Sequence, residues 1–83
     1  MVVSVKLSPH QIRVLSHMAK LTKEKDFAFI RPREIAREMG STSKRVENTL
    51  LKLRSKGVVE NMGYGAWRIT ELGWQVLKEL GYE

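Results

Sequence analysis

Apolar residues recur along this chain at two different periods. Between Ser8 and Thr22, Ile12, Leu15, Met18, Ala19 and Leu21 fall three and four apart, which places them on one side of an amphipathic helix. Ser8-Pro9-His10-Gln11 marks its start: Ser8 supplies a cap, Pro9 suits the first helical position, and Gln11 can return a hydrogen bond to the cap. Lys23 to Asp26 are all charged and read as a loop, and Phe27-Ala28-Phe29-Ile30 as a short strand or a loop plugged into the core. Pro32 opens a second helix with Ile35, Ala36 and Met39 inward, and Gly40 closes it by taking the left-handed stop. Thr42 caps a third helix running to about Lys56, with Val46, Leu50 and Leu53 inward and Thr49 and Leu51 at the margins. Gly57 ends it. Val58 to Asn61 and Ala66 to Ile69 then read as strands around the glycine-rich turn Met62-Gly63-Tyr64-Gly65. Trp67 shares a strand face with Ile69 and is expected to pack this hairpin onto the core. Thr70 caps a last helix carrying Leu72, Val76, Leu77 and Leu80, with Trp74 beside them.

The order is helix, short strand, helix, helix, hairpin, helix, in 83 residues. That length predicts a single domain over residues 1–83 with one core. The expected class is mainly α (α+β). Several chemistries drop out at once. There are no cysteines, hence no disulfide scaffold, thiolate metal site or cysteine nucleophile. His10 and His17, seven apart with no matched carboxylate, read as surface residues rather than metal ligands. Glu34 and Glu38 alternate with Arg33 and Arg37 and read as ion-paired surface rather than an acid/base pair. With no phosphate-cradling glycine loop and no nucleophile beside a base, neither an enzyme nor a cofactor is expected. No run approaches the roughly 20 apolar residues of a membrane span, and no signal peptide precedes Ser4. The expectation is a soluble, cytoplasmic protein with no membrane partner.

Charge sharpens the picture. The net charge is +6, and the excess is unevenly spread. Between Arg31 and Arg68 there are nine basic side chains against four acidic, whereas from Ile69 onward one Lys faces three Glu. A basic middle and an acidic tail give the molecule an electrostatic front and back, suited to a polyanion.

Two helices joined by a short glycine-containing turn, the second followed at once by a hairpin, make a helix-turn-helix with a wing. An α-helix fits the DNA major groove, where each base pair shows its own pattern of donors and acceptors. Ser43, Lys44, Glu47, Asn48 and Lys52 lie away from the apolar stripe of the third helix, and Arg45 lies at its edge. At this point the sequence resembles the winged-helix transcriptional regulators, especially the small single-domain relatives of the multiple-antibiotic-resistance regulator class. Arg33-Glu34-Ile35-Ala36-Arg37-Glu38-Met39-Gly40 is similar to that family's second helix. Leu50-Leu51-Lys52-Leu53-Arg54-Ser55-Lys56-Gly57-Val58-Val59 is similar to its recognition helix entering the wing, and Arg68-Ile69-Thr70-Glu71-Leu72-Gly73 to its exit from the wing. The resemblance runs from Arg33 to Leu80. It implies a winged helix-turn-helix: a three-helix core, a β-hairpin wing and a C-terminal helix.

What the resemblance implies for individual residues is as follows. Ser43, Lys44, Glu47 and Asn48 would read base edges; Asn pairs with adenine and Lys with guanine or phosphate. Thr42 and Arg45 would sit near phosphates at the helix N-terminus. Lys52, Lys56 and Arg68 would contact the backbone and position without specifying. Tyr64 stands at the wing tip, where an aromatic can touch a sugar or a base. Larger members of the class dimerise through long helices at both ends, which the residues before Ser8 and after Leu80 are too few to build. The expectation is a monomer, or a homodimer joined through Val2-Val3-Ser4-Val5 or through Trp74 and Tyr82 on the last helix. Asn48 with Trp67-Arg68-Ile69 also resembles winged helices that bind Z-form duplexes, but Lys52 stands where those carry an aromatic. The expected partner is double-stranded DNA, with no small-molecule effector identifiable. The alternatives are a protein-docking module and a nonspecific nucleic-acid or RNA binder.

Overall fold

The computed structural model describes residues 5–25 and 29–82, with Lys25 described by its backbone alone. Helix α1 spans Pro9–Lys25, α2 Pro32–Met39, α3 Ser43–Ser55 and α4 Glu71–Glu79; strands β1 (Val59–Gly63) and β2 (Ala66–Ile69) lie between α3 and α4. The architecture is the winged helix-turn-helix expected from the sequence, with four helices and an antiparallel hairpin.

Each helix begins where its sequence allows the first free N–H groups to be satisfied. At α1 the capping box is complete: the Gln11 N–H donates to Ser8 Oγ (3.2 Å) and the Ser8 N–H to Gln11 Oε1 (2.9 Å). At α3 and α4 the hydroxyls of Thr42 and Thr70 accept from Arg45 and Gly73. Gly40 ends α2 at φ 65°, a left-handed conformation that lets the Ser41 N–H reach the Ala36 carbonyl (2.9 Å).

The charged run after Thr22 departs from expectation. Lys23, Glu24 and Lys25 continue α1 instead of forming a loop. Lys and Glu are good helix formers, Leu21 is buried on the same turn, and Lys20 pairs with Glu24 one turn on. Val14 also belongs to the buried stripe of α1, whereas Ile12 is only half-buried. Within Phe27-Ala28-Phe29-Ile30, residues 27 and 28 lie outside the described residues, as do Val2, Val3 and Ser4. Phe29 is half exposed and Ile30 fully buried, so only the latter plugs the core.

The core gathers one face of every element: Leu15 and Met18 of α1, Ile35 of α2, Val46, Leu50 and Leu53 of α3, Val59 of β1, Trp67 and Ile69 of β2, and Val76 and Leu77 of α4. The wing is longer than its sequence suggested. β1 starts at Val59 rather than Val58 and continues through Met62 and Gly63, with an irregularity between Asn61 and Gly63. Asn61 Oδ1 accepts from the Gly63 N–H across that irregularity (2.7 Å). The turn is thereby reduced to Tyr64-Gly65. Ile30 adds a single bridge to the outer side of β2, opposite β1.

The return from wing to α4 is the tightest junction. The Thr70 N–H donates to the Val58 carbonyl (3.0 Å) and its hydroxyl to the Gly57 carbonyl (2.6 Å). Gly73 then lies so close that a Cβ there would stand 2.1 Å from Val58 O and 2.6 Å from Ile69 Cγ2. Gly73→Ala is therefore expected to destabilise the protein by about 2 kcal/mol or more, although alanine is the better helix former. Urea unfolding measures this directly, and a neutral or stabilising result would mean that α4 lifts off the wing without cost.

Candidate nucleic-acid interface

With about 3.6 residues per turn, α3 divides lengthwise. Val46, Leu50 and Leu53 face inward and are wholly buried. Opposite them Lys44, Asn48, Leu51 and Ser55 form a row along the outer face. Lys44, Asn48 and Leu51 are exposed, Leu51 at 47%. Sequence reasoning left Leu51 at the margin of the core stripe. It lies instead within the exposed row, an apolar side chain between polar ones.

Flanking this row on one side are Ser43 and Glu47. They line a cleft of about 300 Å³ together with Arg31, Pro32, Arg33 and Gly65. The start of α3, the start of α2 and the wing turn therefore meet at one place. Arg31 and Arg33 were absent from the residues singled out by spacing, because nothing in the sequence shows that the segment before α2 and the wing tip converge. On the other flank lie Arg45 and Lys52, both exposed.

Three further candidates, Thr42, Lys56 and Arg68, are already engaged within the protein. The Thr42 hydroxyl caps Arg45 N at 3.3 Å. The Lys56 ammonium donates to the Lys6 carbonyl and fastens the segment leading into α1. The Arg68 guanidinium pairs with Glu60, its cross-strand neighbour, so its charge is largely offset. Tyr64 is 98% exposed at the wing tip. Trp74 is half-buried against the core, while Leu80 and Tyr82 remain exposed.

Two histidines on α1 fix the helix-turn-helix from behind. The Thr49 hydroxyl donates to the Arg45 carbonyl (3.0 Å), so its oxygen accepts from His10 Nε2 (3.1 Å), which must carry the proton. One turn of α3 is thus tied to the start of α1. His17 Nδ1 and the Lys20 ammonium both donate to Glu38 Oε1 of α2, each at 3.2 Å. The Lys20 bond is the main reason the Glu38 carboxyl titrates below its ordinary value; His17 adds to it and desolvation works the other way.

A carboxyl whose folded pKa is depressed stabilises the fold above its unfolded pKa, and that contribution is lost as pH falls through the folded value. Glu38→Gln is therefore expected to lower the melting temperature modestly at neutral pH and to have no effect in acid strong enough to protonate the folded carboxyl. Thermal melts at the two pH values check this. An equal loss at both would show that the charge of Glu38 does not hold α1 to α2.

Among known families, the model of the LexA DNA binding domain matches residues 4–66, from the approach to α1 through the wing turn. No curated protein and no solved structure matches the chain.

Proposed function

The chain belongs to the LexA DNA binding domain family, and on that premise we propose that it is a sequence-specific regulator that lays α3 in the major groove of duplex DNA. DNA binding by a helix-turn-helix, and transcription regulation with it, come with the family. The finer reading adds the groove, the residues and their roles. The observation that carries it is the outer row of α3, whose inner side is fully committed to the core while Lys44, Asn48 and Leu51 stand in solvent.

In this reading Lys44 and Asn48 meet base edges, Asn48 by paired hydrogen bonds to an adenine and Lys44 at a guanine. Leu51 offers an apolar surface to a thymine methyl group, a contact that major-groove readers use. Ser43 and Glu47 face bases on the wing side, Glu47 as an acceptor for a cytosine amino group. Thr42, Arg45 and Lys52 hold phosphates and set the register. Lys56 and Arg68 contribute less, since one fastens Lys6 and the other is paired with Glu60. The wing rests on the adjacent backbone or minor groove. The likeness of residues 33–40, 50–59 and 68–73 to the multiple-antibiotic-resistance regulators supports the same division into readers and positioners.

Anisotropy titrations with a mixed-sequence labelled duplex at several salt concentrations test the reading. Binding should fall steeply with salt as counterions are released from the phosphates. Lys52→Ala should weaken all sequences alike and lower the salt slope by about one. Asn48→Ala should cost roughly 1–3 kcal/mol at one preferred base pair and leave the slope unchanged. Absence of binding at low salt would remove the DNA reading in favour of a docking module, with exposed Leu80 and Tyr82 as the surface to probe.

A further inference from the structure

The wing turn carries a residue that its own geometry disfavours. Tyr64 at φ 53° and Gly65 at φ 76° are both left-handed, the arrangement of a type I′ hairpin turn. Gly, Asn or Asp takes the first of these positions at little cost, whereas a bulky aromatic there is an outlier. Folding gives no return for it, because Tyr64 is 98% exposed and packs into nothing. Strain held without a packing reason points to function.

A second observation fixes where that ring is displayed. Arg31, from the segment before α2, donates through Nη1 to the Tyr64 carbonyl at 3.3 Å. The backbone of Arg31 is itself held, its N–H donating to Glu34 Oε2 at 3.0 Å. The next residue of the turn, Gly65, shares a cleft with Ser43 and Glu47. The wing tip therefore stands beside the first turn of α3, tethered by an exposed guanidinium from another element. Phe29 and Met62, 50% and 41% exposed, line a second cleft, which shares Arg31 with the first and includes Glu34 and Tyr64.

We infer that Arg31 and Tyr64 act together as a minor-groove reader that senses the groove width next to the base pairs read by α3. The inference deepens the proposed DNA reading and rests on it. A narrow, A·T-rich minor groove concentrates negative potential and attracts a guanidinium. The faces of an aromatic ring suit the sugar walls of the same groove. The amino group that guanine projects into the groove obstructs both. One element presents the ring and another the cation, and their hydrogen bond makes them a single unit.

The test starts from duplexes that the whole chain selects from a random-sequence pool. Their flanks are then replaced by A·T pairs, by G·C pairs, or by inosine·cytosine pairs, which keep the major-groove face of G·C but lack the minor-groove amino group. The expected result is that A·T and inosine·cytosine flanks bind alike, each roughly five- to tenfold more tightly than G·C flanks. Tyr64→Asn, which suits the left-handed turn, should melt at or above the parent temperature and bind all three flanks equally. Arg31→Ala, which leaves the turn sequence intact, should likewise abolish the preference. Inosine·cytosine flanks behaving like G·C, or a preference that survives both substitutions, would overturn the inference while leaving DNA binding in place. A pool from which no duplex is enriched would overturn sequence-specific reading as well.

Discussion

A two-stranded hairpin is barely stable in water by itself, and the geometry of the candidate interface depends on how this hairpin is held. The decisive contact is a reciprocal pair of backbone hydrogen bonds. Ile30 donates to the Trp67 carbonyl at 2.7 Å, and Trp67 to the Ile30 carbonyl at 2.8 Å. They join the wing to the chain just before α2. Ile30 and Trp67 are both buried, so water does not compete for these bonds. From that anchor the next residue, Arg31, reaches the wing turn, and Pro32 starts the helix-turn-helix. The wing and the two helices are thus joined where Ile30 meets Trp67, which sets the wing turn beside the first turn of α3.

The same economy governs α3. A domain this small has no spare element for binding alone, so the helix that carries the candidate interface, α3, is also a central wall of the core. Val46, Leu50 and Leu53 hold it from within, and Thr49, bonded to His10 and to the Arg45 carbonyl, ties its side to α1. The exposed row Lys44, Asn48, Leu51 inherits its orientation from those contacts. Substitutions on the two faces should therefore separate cleanly: inward ones act through stability, and outward ones through affinity. Charge follows the same plan, since the basic excess lies between Arg31 and Arg68 while the α4 end is acidic.

Much of this was legible in the sequence because the signals are local. The Ser8–Gln11 box, Gly40, the Thr42 and Thr70 caps and the three-to-four stripes each act within one turn of chain, and they are realised except at the stripe margins: Ile12 is only half-buried, and Leu80, expected inward, is exposed just past the end of α4. The positions that escaped depend on tertiary partners. Lys23 to Lys25 look like a loop when only charge is read, yet the buried Leu21 and the Lys20–Glu24 pair carry the helix on. The Ile30 bridge requires a strand that lies far along the chain. Arg31 and Arg33 enter the interface only because the wing folds back beside α3. Lys56 and Arg68 read as unengaged cations in the sequence, but in the fold one donates to the Lys6 carbonyl and the other pairs with Glu60.

The wing turn and the α4 junction show opposite uses of a disfavoured position. At Gly73 the helix tolerates its weakest interior residue because a side chain would collide with Val58 and Ile69; the cost in helix propensity is recovered as close packing. At Tyr64 the turn tolerates a bulky left-handed residue, and no packing is recovered. Stability alone accounts for the first choice and cannot account for the second. A contact between this exposed, strained aromatic and a partner outside the folded chain, as proposed for the wing, would account for it.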